Sequence, residues 1–232
     1  MKDIILIATI KDWNINNFYE FKKKFEDKYN LYLITNKDDL IYQNVKDLNP
    51  KYIFFPHWSW LIPNEIYKNY ECILFHMTDL PYGRGGSPLQ NLITNKIYNT
   101  KITAIKVSKE LDEGDIYLKE NFDISKGSAR EIYENASNLI FSELIPKIIE
   151  NNLIPTKQAG EIVIFKRRTP EQSNIKTLND ISINNLYDFI RMLDAPSYPK
   201  AYIELDNLKI ELSEVIIKDG KLEGRFEVSK DE

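Results

Sequence analysis

Strands and helices alternate in the hydrophobic pattern of the first 155 residues. The unbroken apolar run from Ile4 to Ile10 is typical of a strand that is buried on both faces. From Trp13 to Lys28, apolar residues recur at the three- to four-residue spacing of an amphipathic helix. This alternation predicts an α/β fold, Rossmann-like and doubly wound, with a mostly parallel sheet. The further strands are predicted at residues 31–34, 52–55, 72–75, 101–107 and 116–122.

Four further segments have helical spacing and separate these strands. Pro146 lies inside the last of them and predicts a kink there, because proline has no amide hydrogen to donate. These predicted helices cover residues 38–48, 64–70, 88–97 and 128–152.

The pattern changes after Pro155, where short apolar runs alternate with turn residues. We predict short strands at 161–165, 202–205, 208–212 and 215–217, with turns at Asp206-Asn207 and Asp219-Gly220. The chain is therefore divided into residues 1–160, a Rossmann-like domain, and residues 161–232, a small C-terminal region rich in β-hairpins. Exposed edge strands of such a region favour pairing across a homodimer.

Charge and cysteine content limit the kinds of partner that we expect. The net charge of −4 argues against nucleic acid as a partner, and Lys166-Arg167-Arg168 is the one compact basic patch. The single cysteine, Cys72, is consistent with a reducing, cytoplasmic location. No apolar run reaches the length of a membrane span, so no membrane partner is expected.

Both histidines follow predicted strands of the sheet. His57 comes after strand 52–55 and His76 after strand 72–75. Because ligands of doubly wound sheets bind beyond the carboxyl ends of the strands, these positions are candidates for chemistry. A carboxylate next to an imidazole fixes its tautomer and raises its basicity, and Asp115 is our candidate for that role. The alternative is that Asp115 is an ordinary acidic residue of a turn.

A glycine-rich loop, Tyr82 to Ser87, follows His76. Its three glycines lack the spacing of the common nucleotide-binding motifs, and they serve either left-handed turns or a close approach of main chain. Two histidines and one cysteine do not supply a usual zinc site, so no metal is expected.

Taken in order, these residues form a recognisable set of motifs. The segment His76 to Pro81 reads His-x-x-x-Leu-Pro, and it is followed by Arg84-Gly85, by Pro88-x-Gln90 and by Leu111-Asp112-Glu113-Gly114-Asp115. With further similarity at 61–63, 165–170 and 193–199, this order resembles the formyltransferases that use N10-formyltetrahydrofolate as the formyl donor. The resemblance implies a transferase in which an amine attacks the formyl carbon and a tetrahedral oxyanion forms.

The resemblance also implies the roles of the catalytic residues. His76 takes the proton of the amine or stabilises the intermediate, and Asp115 orients His76. The family usually has an asparagine, an oxyanion donor, two residues before the histidine, where this chain has Leu74. We expect His57 to be the substitute donor. The alternative is that His57 only packs against Trp58 or Trp60.

The binding residues follow from the same resemblance. The folate site is expected on one side at Trp60, Leu61, Ile62 and Pro63, and on the other at Leu111, Asp112 and Gly114. The substrate site is expected at Lys11, Trp13, Thr78, Arg84 and Gly85.

Two acceptors are compatible with the resemblance. The chain is shorter than is usual for the tRNA enzyme and acidic overall, which favours the amino group of a nucleotide-linked dideoxy amino sugar, such as a UDP-4-amino sugar of pseudaminic-type surface-glycan biosynthesis. The alternatives are an enzyme like methionyl-tRNA formyltransferase, or a folate- or nucleotide-binding protein without catalytic activity.

Overall fold

A six-stranded sheet with a parallel centre forms the core of the protein. A computed structural model describes residues 2–196 and 198–230; Ser197 of the 193–199 motif lies outside the described residues, as do the two acidic residues at the end of the chain. In chain order the strands are β1 (Ile4–Ala8), β2 (Asn30–Ile34), β3 (Tyr52–Phe55), β4 (Cys72–His76), β5 (Tyr82–Gly85), β6 (Asn99–Lys106), β7 (Ile116–Asp123), β8 (Val163–Phe165), β9 (Ala201–Leu205), β10 (Leu208–Lys218) and β11 (Lys221–Lys230).

The order of the main sheet is β2-β1-β3-β4-β6-β7. Strands β2, β1, β3 and β4 are parallel, while β6 runs antiparallel to β4. Residues 5–8 of β1 and 52–55 of β3 are buried on both faces, as their unbroken apolar sequences indicate. The predicted fold class, a mostly parallel α/β sheet with a small C-terminal β region, is thus confirmed.

The helices agree with the helical spacing of the sequence, with two differences. The segment predicted at 38–48 begins with a 3₁₀ turn at Lys37–Asp39, and the helix starts only at Tyr42. The segment predicted at 128–152 contains a π-helical turn at Ile140–Leu144, just before Pro146, which lacks the amide hydrogen that regular helix needs. The helices are α1 (Asp12–Phe25), α2 (Tyr42–Leu48), α3 (Asn64–Asn69), α4 (Pro88–Thr94), α5 (Ala129–Leu139), α6 (Ile145–Asn151) and α7 (Ile183–Arg191).

The described chain forms two compact units that are discontinuous in sequence. The first contains residues 1–84, 100–122 and 134–164, and the second contains 85–99, 123–133 and 165–232. The division differs from a single boundary after residue 160 because two segments that precede residue 160 pack within the second unit. For example, the buried Arg191 donates to the carbonyl oxygens of Ile124 and Gly127, at 3.0 and 3.1 Å.

The C-terminal sheet has the antiparallel order β11-β10-β9. The two strands predicted at 208–212 and 215–217 are one strand, β10, with an irregularity between Ser213 and Ile216. Strand β11 was not predicted, because charged residues alternate with its few apolar ones. Among the described residues, no helix is long and apolar enough to cross a membrane.

Candidate active site

The carboxyl end of β4 carries a buried pair of titratable side chains. His76 is the last residue of β4, and Asp112 lies in the segment between β6 and β7. The His76 Nδ1 atom is 3.6 Å from Asp112 Oδ2, and both side chains are less than a tenth exposed. A charge on either group would therefore be screened little by solvent.

The second ring nitrogen of His76 is fixed by the main chain. The Nε2 atom lies 2.8 Å from the carbonyl oxygen of Gly83, and because a carbonyl only accepts, Nε2 carries a proton. Thr78 Oγ1 donates to the same oxygen at 3.4 Å, and the carbonyl of Thr78 accepts from Thr103 Oγ1 at 2.6 Å. This leaves Nδ1, which faces Asp112, as the ring nitrogen that can accept a proton.

The carboxylate beside His76 is not the one chosen from the sequence. Asp115, the predicted partner, has a side chain that is 38% exposed, and its carboxylate is 3.8 Å from the exposed Lys157 ammonium. Its carbonyl oxygen accepts from the amide of Lys106 at 2.9 Å, which fixes Asp115 in the main sheet. The structure therefore assigns the contact with His76 to Asp112, which the resemblance had placed in the folate site.

Gly114 explains why Asp112 has this position. A Cβ atom added at Gly114 would lie 1.6 Å from the carbonyl oxygen of Lys106, so no other residue fits without moving the main chain. Asp112 itself has a left-handed backbone, with φ 55°. The close approach and the left-handed residue together turn the segment so that the Asp112 carboxylate points to His76.

A side-chain clamp holds the same segment. Gln158 Nε2 donates to the carbonyl oxygens of Asp112 and Gly114, both at 2.8 Å. Its Oε1 atom accepts from Arg84 Nε at 3.1 Å and from Arg84 Nη2 at 2.9 Å. Arg84 Nη1 completes the clamp by donating to Glu113 at 2.8 Å. Arg84, predicted to meet substrate, is thus bonded within the protein. The role of Gln158 was not predicted, because no recognisable motif surrounds this residue in the sequence.

His57 follows β3 and is half-buried with a left-handed backbone, φ 52°. Burial, and after it the charge of Lys11, lower the pKa of His57 to about 3. Its imidazole is therefore neutral near pH 7 and retains one N–H group as a donor. The ring also contacts Trp13, with centroids 5.6 Å apart. Because β3 and β4 pair in parallel with Phe55 opposite Leu74, His57 and His76 lie at the same end of neighbouring strands.

The residues predicted to bind substrate have different environments. The Trp13 side chain is 5% exposed, so it is a core residue of α1. Lys11 lies 5.6 Å from the Trp13 ring, and its pKa is lowered by burial. Thr78 is fully buried. Gly85 has φ 100°, and a Cβ there would meet the Phe165 carbonyl oxygen at 2.4 Å, so it permits the approach of β5 and β8.

The segments predicted to bind folate expose apolar side chains. Leu61 is 92% exposed, Leu111 66% and Trp60 39%. Ile62 is partly buried against the core, and Pro63 precedes α3. Exposed apolar surface that accompanies a buried polar pair fits a mostly apolar ring system such as a pterin. Among the described residues, no group of three or more metal-ligating side chains lies together.

The known proteins that this chain resembles are formyltransferases. The family model of the methionyl-tRNA formyltransferase C-terminal domain matches residues 170–229. Methionyl-tRNA formyltransferase from Campylobacter jejuni is 25% identical over 198 residues, which cover 84% of this chain and 64% of that protein. The chain thus spans less than two thirds of this relative.

Solved structures extend the comparison over the whole chain. The structure described as methionyl-tRNA formyltransferase from Clostridium thermocellum is 50% identical, covers 98% of this chain and 99% of its own, and has a TM-score of 0.94. A sugar N-formyltransferase from Shewanella sp. is 15% identical with a TM-score of 0.66, covering 96% of each chain. At that identity the second likeness shows the fold alone.

Proposed function

This chain belongs to the formyltransferase family, and we propose that it transfers a formyl group from N10-formyltetrahydrofolate to a primary amine. The observation that carries the proposal is the buried His76–Asp112 pair, 3.6 Å apart at the carboxyl edge of the sheet. A general base held by a carboxylate suits a reaction in which an amine loses a proton as it attacks a carbonyl carbon.

His76 and Asp112 have separate parts in this proposal. His76 Nδ1 receives the proton of the attacking amine, while Nε2 stays bound to the carbonyl of Gly83. The positive charge that develops on the ring is stabilised by the Asp112 carboxylate. The same charge stabilises the oxyanion of the tetrahedral intermediate, an effect worth about 3–4 kcal/mol for a well-placed donor.

His57 supplies the second donor for the oxyanion in our proposal. Leu74 occupies the place of the family's asparagine and has no polar group to offer. His57 would donate as a neutral imidazole, because its pKa is lowered to about 3. The contact of His57 with Trp13 orients the ring.

The donor is proposed to bind between apolar residues and main-chain groups. Trp60, Leu61 and Leu111 expose the apolar surface that a pterin and its benzoyl group would cover, at about 25 cal/mol per Å² of area removed from water. Main-chain groups of the segments around Ile62-Pro63 and Asp112 to Gly114 would bind the polar edge of the pterin.

Methionyl-tRNA is the acceptor that the comparisons favour. It is the substrate named for the relative that is 50% identical over 98% of this chain, whereas the sugar N-formyltransferase shares the fold at 15% identity. The exposed Lys166 and Arg167 are candidates for contact with tRNA phosphates. The earlier exclusion of nucleic acid is therefore not maintained.

A nucleotide-linked amino sugar is the second candidate. The net charge of −4 favours it, since a protein that binds the tRNA backbone gains from positive charge. Purified protein should be incubated with N10-formyltetrahydrofolate and, separately, with methionyl-tRNA and with a panel of amino-sugar nucleotides. Mass spectrometry of each acceptor then reports formylation.

We expect formylation of methionyl-tRNA, and its loss in the control variant His76→Asn. Formylation of an amino sugar alone would replace the tRNA assignment by the sugar assignment. Folate binding without formylation of any acceptor would contradict catalysis and indicate a binding protein.

A further inference from the structure

Strand β11 is the outer strand of the C-terminal sheet. Its neighbour is β10, and the sheet order β11-β10-β9 leaves its other side without a neighbouring strand among the described residues. Every residue of β11 except Leu222 is exposed. A ten-residue exposed edge with open hydrogen-bonding groups is a surface on which another strand can add.

The side chains of β11 alternate in character along this edge. Leu222, Phe226 and Val228 lie on one face, and Phe226 and Val228 are 65% and 51% exposed. The charged residues of the opposite face alternate in sign: Lys221, Glu223, Arg225 and Glu227. A strand whose charges alternate in sign can pair with an antiparallel strand of the same sequence.

The sequence of β11 is complementary to itself about Gly224. When two copies run antiparallel with Gly224 opposite Gly224, Glu223 faces Arg225 and Lys221 faces Glu227. On the other face of the same pairing, Leu222 lies opposite Phe226. Each opposite pair is of a kind that stabilises antiparallel strands, and no like charges meet between residues 221 and 227.

Neighbouring registers lack this property. A pairing centred on Arg225 brings Glu223 opposite Glu227, and one centred on Glu223 brings Lys221 opposite Arg225. A pairing centred on Phe226 places Leu222 opposite Lys230. The register about Gly224 is therefore favoured over these three by charge or by apolar contact.

We propose that β11 binds a second copy of this chain, forming a symmetric homodimer by antiparallel β11–β11 pairing about Gly224. Within one chain, Arg225 contacts Glu227 at 2.8 Å and Glu214 at 3.4 Å, and these side chains are about half to two-thirds exposed. Exposed ion pairs of this kind contribute little, so Arg225 can exchange them for Glu223 of the second copy.

Charge reversal tests the proposal directly. Sedimentation velocity should show a dimer of the full chain at concentrations up to about 0.1 mM, a range that detects even weak association. Glu223→Arg and Arg225→Glu, made singly, each place like charges opposite each other, and we expect the dissociation constant to rise by about tenfold or more. The double variant Glu223→Arg/Arg225→Glu restores opposite charges and should restore the dimer.

Mixing the two single variants gives a second readout. Glu223→Arg on one chain and Arg225→Glu on the other are complementary, so the mixture should dimerise more tightly than either variant alone. Lys46→Glu, an exposed reversal on α2, is the matched control and should leave the dimer unchanged. A wild-type monomer throughout the concentration range, or single reversals without effect on the dimer, would overturn the proposal.

Discussion

The choice between Asp112 and Asp115 gives the sharpest test of the proposed chemistry. The two carboxylates are three residues apart, yet Asp112 lies 3.6 Å from His76 Nδ1 and Asp115 lies 3.8 Å from the exposed Lys157. We therefore compare Asp112→Asn with Asp115→Asn. Each replacement preserves the size of the side chain and removes its charge, so the pair separates the electrostatic role from packing.

The expected loss follows from the distance between the charges. Two unit charges 3.6 Å apart attract by about 4–5 kcal/mol at an effective dielectric constant of about 20. Part of this attraction is replaced by the asparagine dipole, so we expect kcat for Asp112→Asn to fall by about 10²–10³-fold. Asp115 is more than a third exposed and its partner Lys157 is 91% exposed, so removal of that ion pair should change kcat by less than about threefold.

Formyl transfer under saturating donor and acceptor measures kcat for both variants. Thermal unfolding followed by circular dichroism shows whether either replacement has disturbed the fold. Folate binding, followed by tryptophan fluorescence, should persist in Asp112→Asn if that residue acts on His76. A large loss in Asp115→Asn together with near-normal turnover of Asp112→Asn would refute the assignment made from the geometry.

Three further predictions concern the surroundings of the pair. Gln158→Ala removes the clamp and should lower kcat by about 10-fold or more, with Lys157→Ala as the control, because the segment that carries Asp112 loses two hydrogen bonds and Arg84 loses two. Equal rates for the two variants would contradict the positioning role. Gly114→Ala should lower the free energy of unfolding by about 2 kcal/mol or more, measured by urea titration, and an unchanged midpoint would contradict it. His57, whose pKa is lowered to about 3, makes the free energy of unfolding fall as pH decreases from about 6.5, at up to about 1.4 kcal/mol per pH unit, since the unfolded chain binds a proton that the folded chain does not. His57→Phe should flatten that slope between about pH 5 and 6.5, and an equally steep slope in the variant would exclude His57 as its source.

The order of strands and helices could be predicted because buried strands and buried helix faces carry apolar residues at characteristic spacings. Strand β3, with four apolar residues, is buried on both faces, and the helix that begins near Trp13 carries apolar residues on one side. Strand β11 was missed because an exposed edge strand needs no apolar run, and its alternating charges look like a solvated tail. The edge of the main sheet that carries the two histidines could also be predicted, because the carboxyl ends of parallel strands meet at one edge.

The identity of the carboxylate partner could not be predicted, because spacing along the chain does not determine direction in a turn. Asp112 and Asp115 both lie in the segment 107–115 between β6 and β7, and the motif alone allows either to contact His76. The decision depends on contacts that are distant in sequence. Gly114 packs against the carbonyl of Lys106, and Gln158 holds the carbonyls on both sides of the turn. A motif therefore supplies the candidates for a catalytic pair, while the main chain that packs around the motif selects the one that reaches the imidazole.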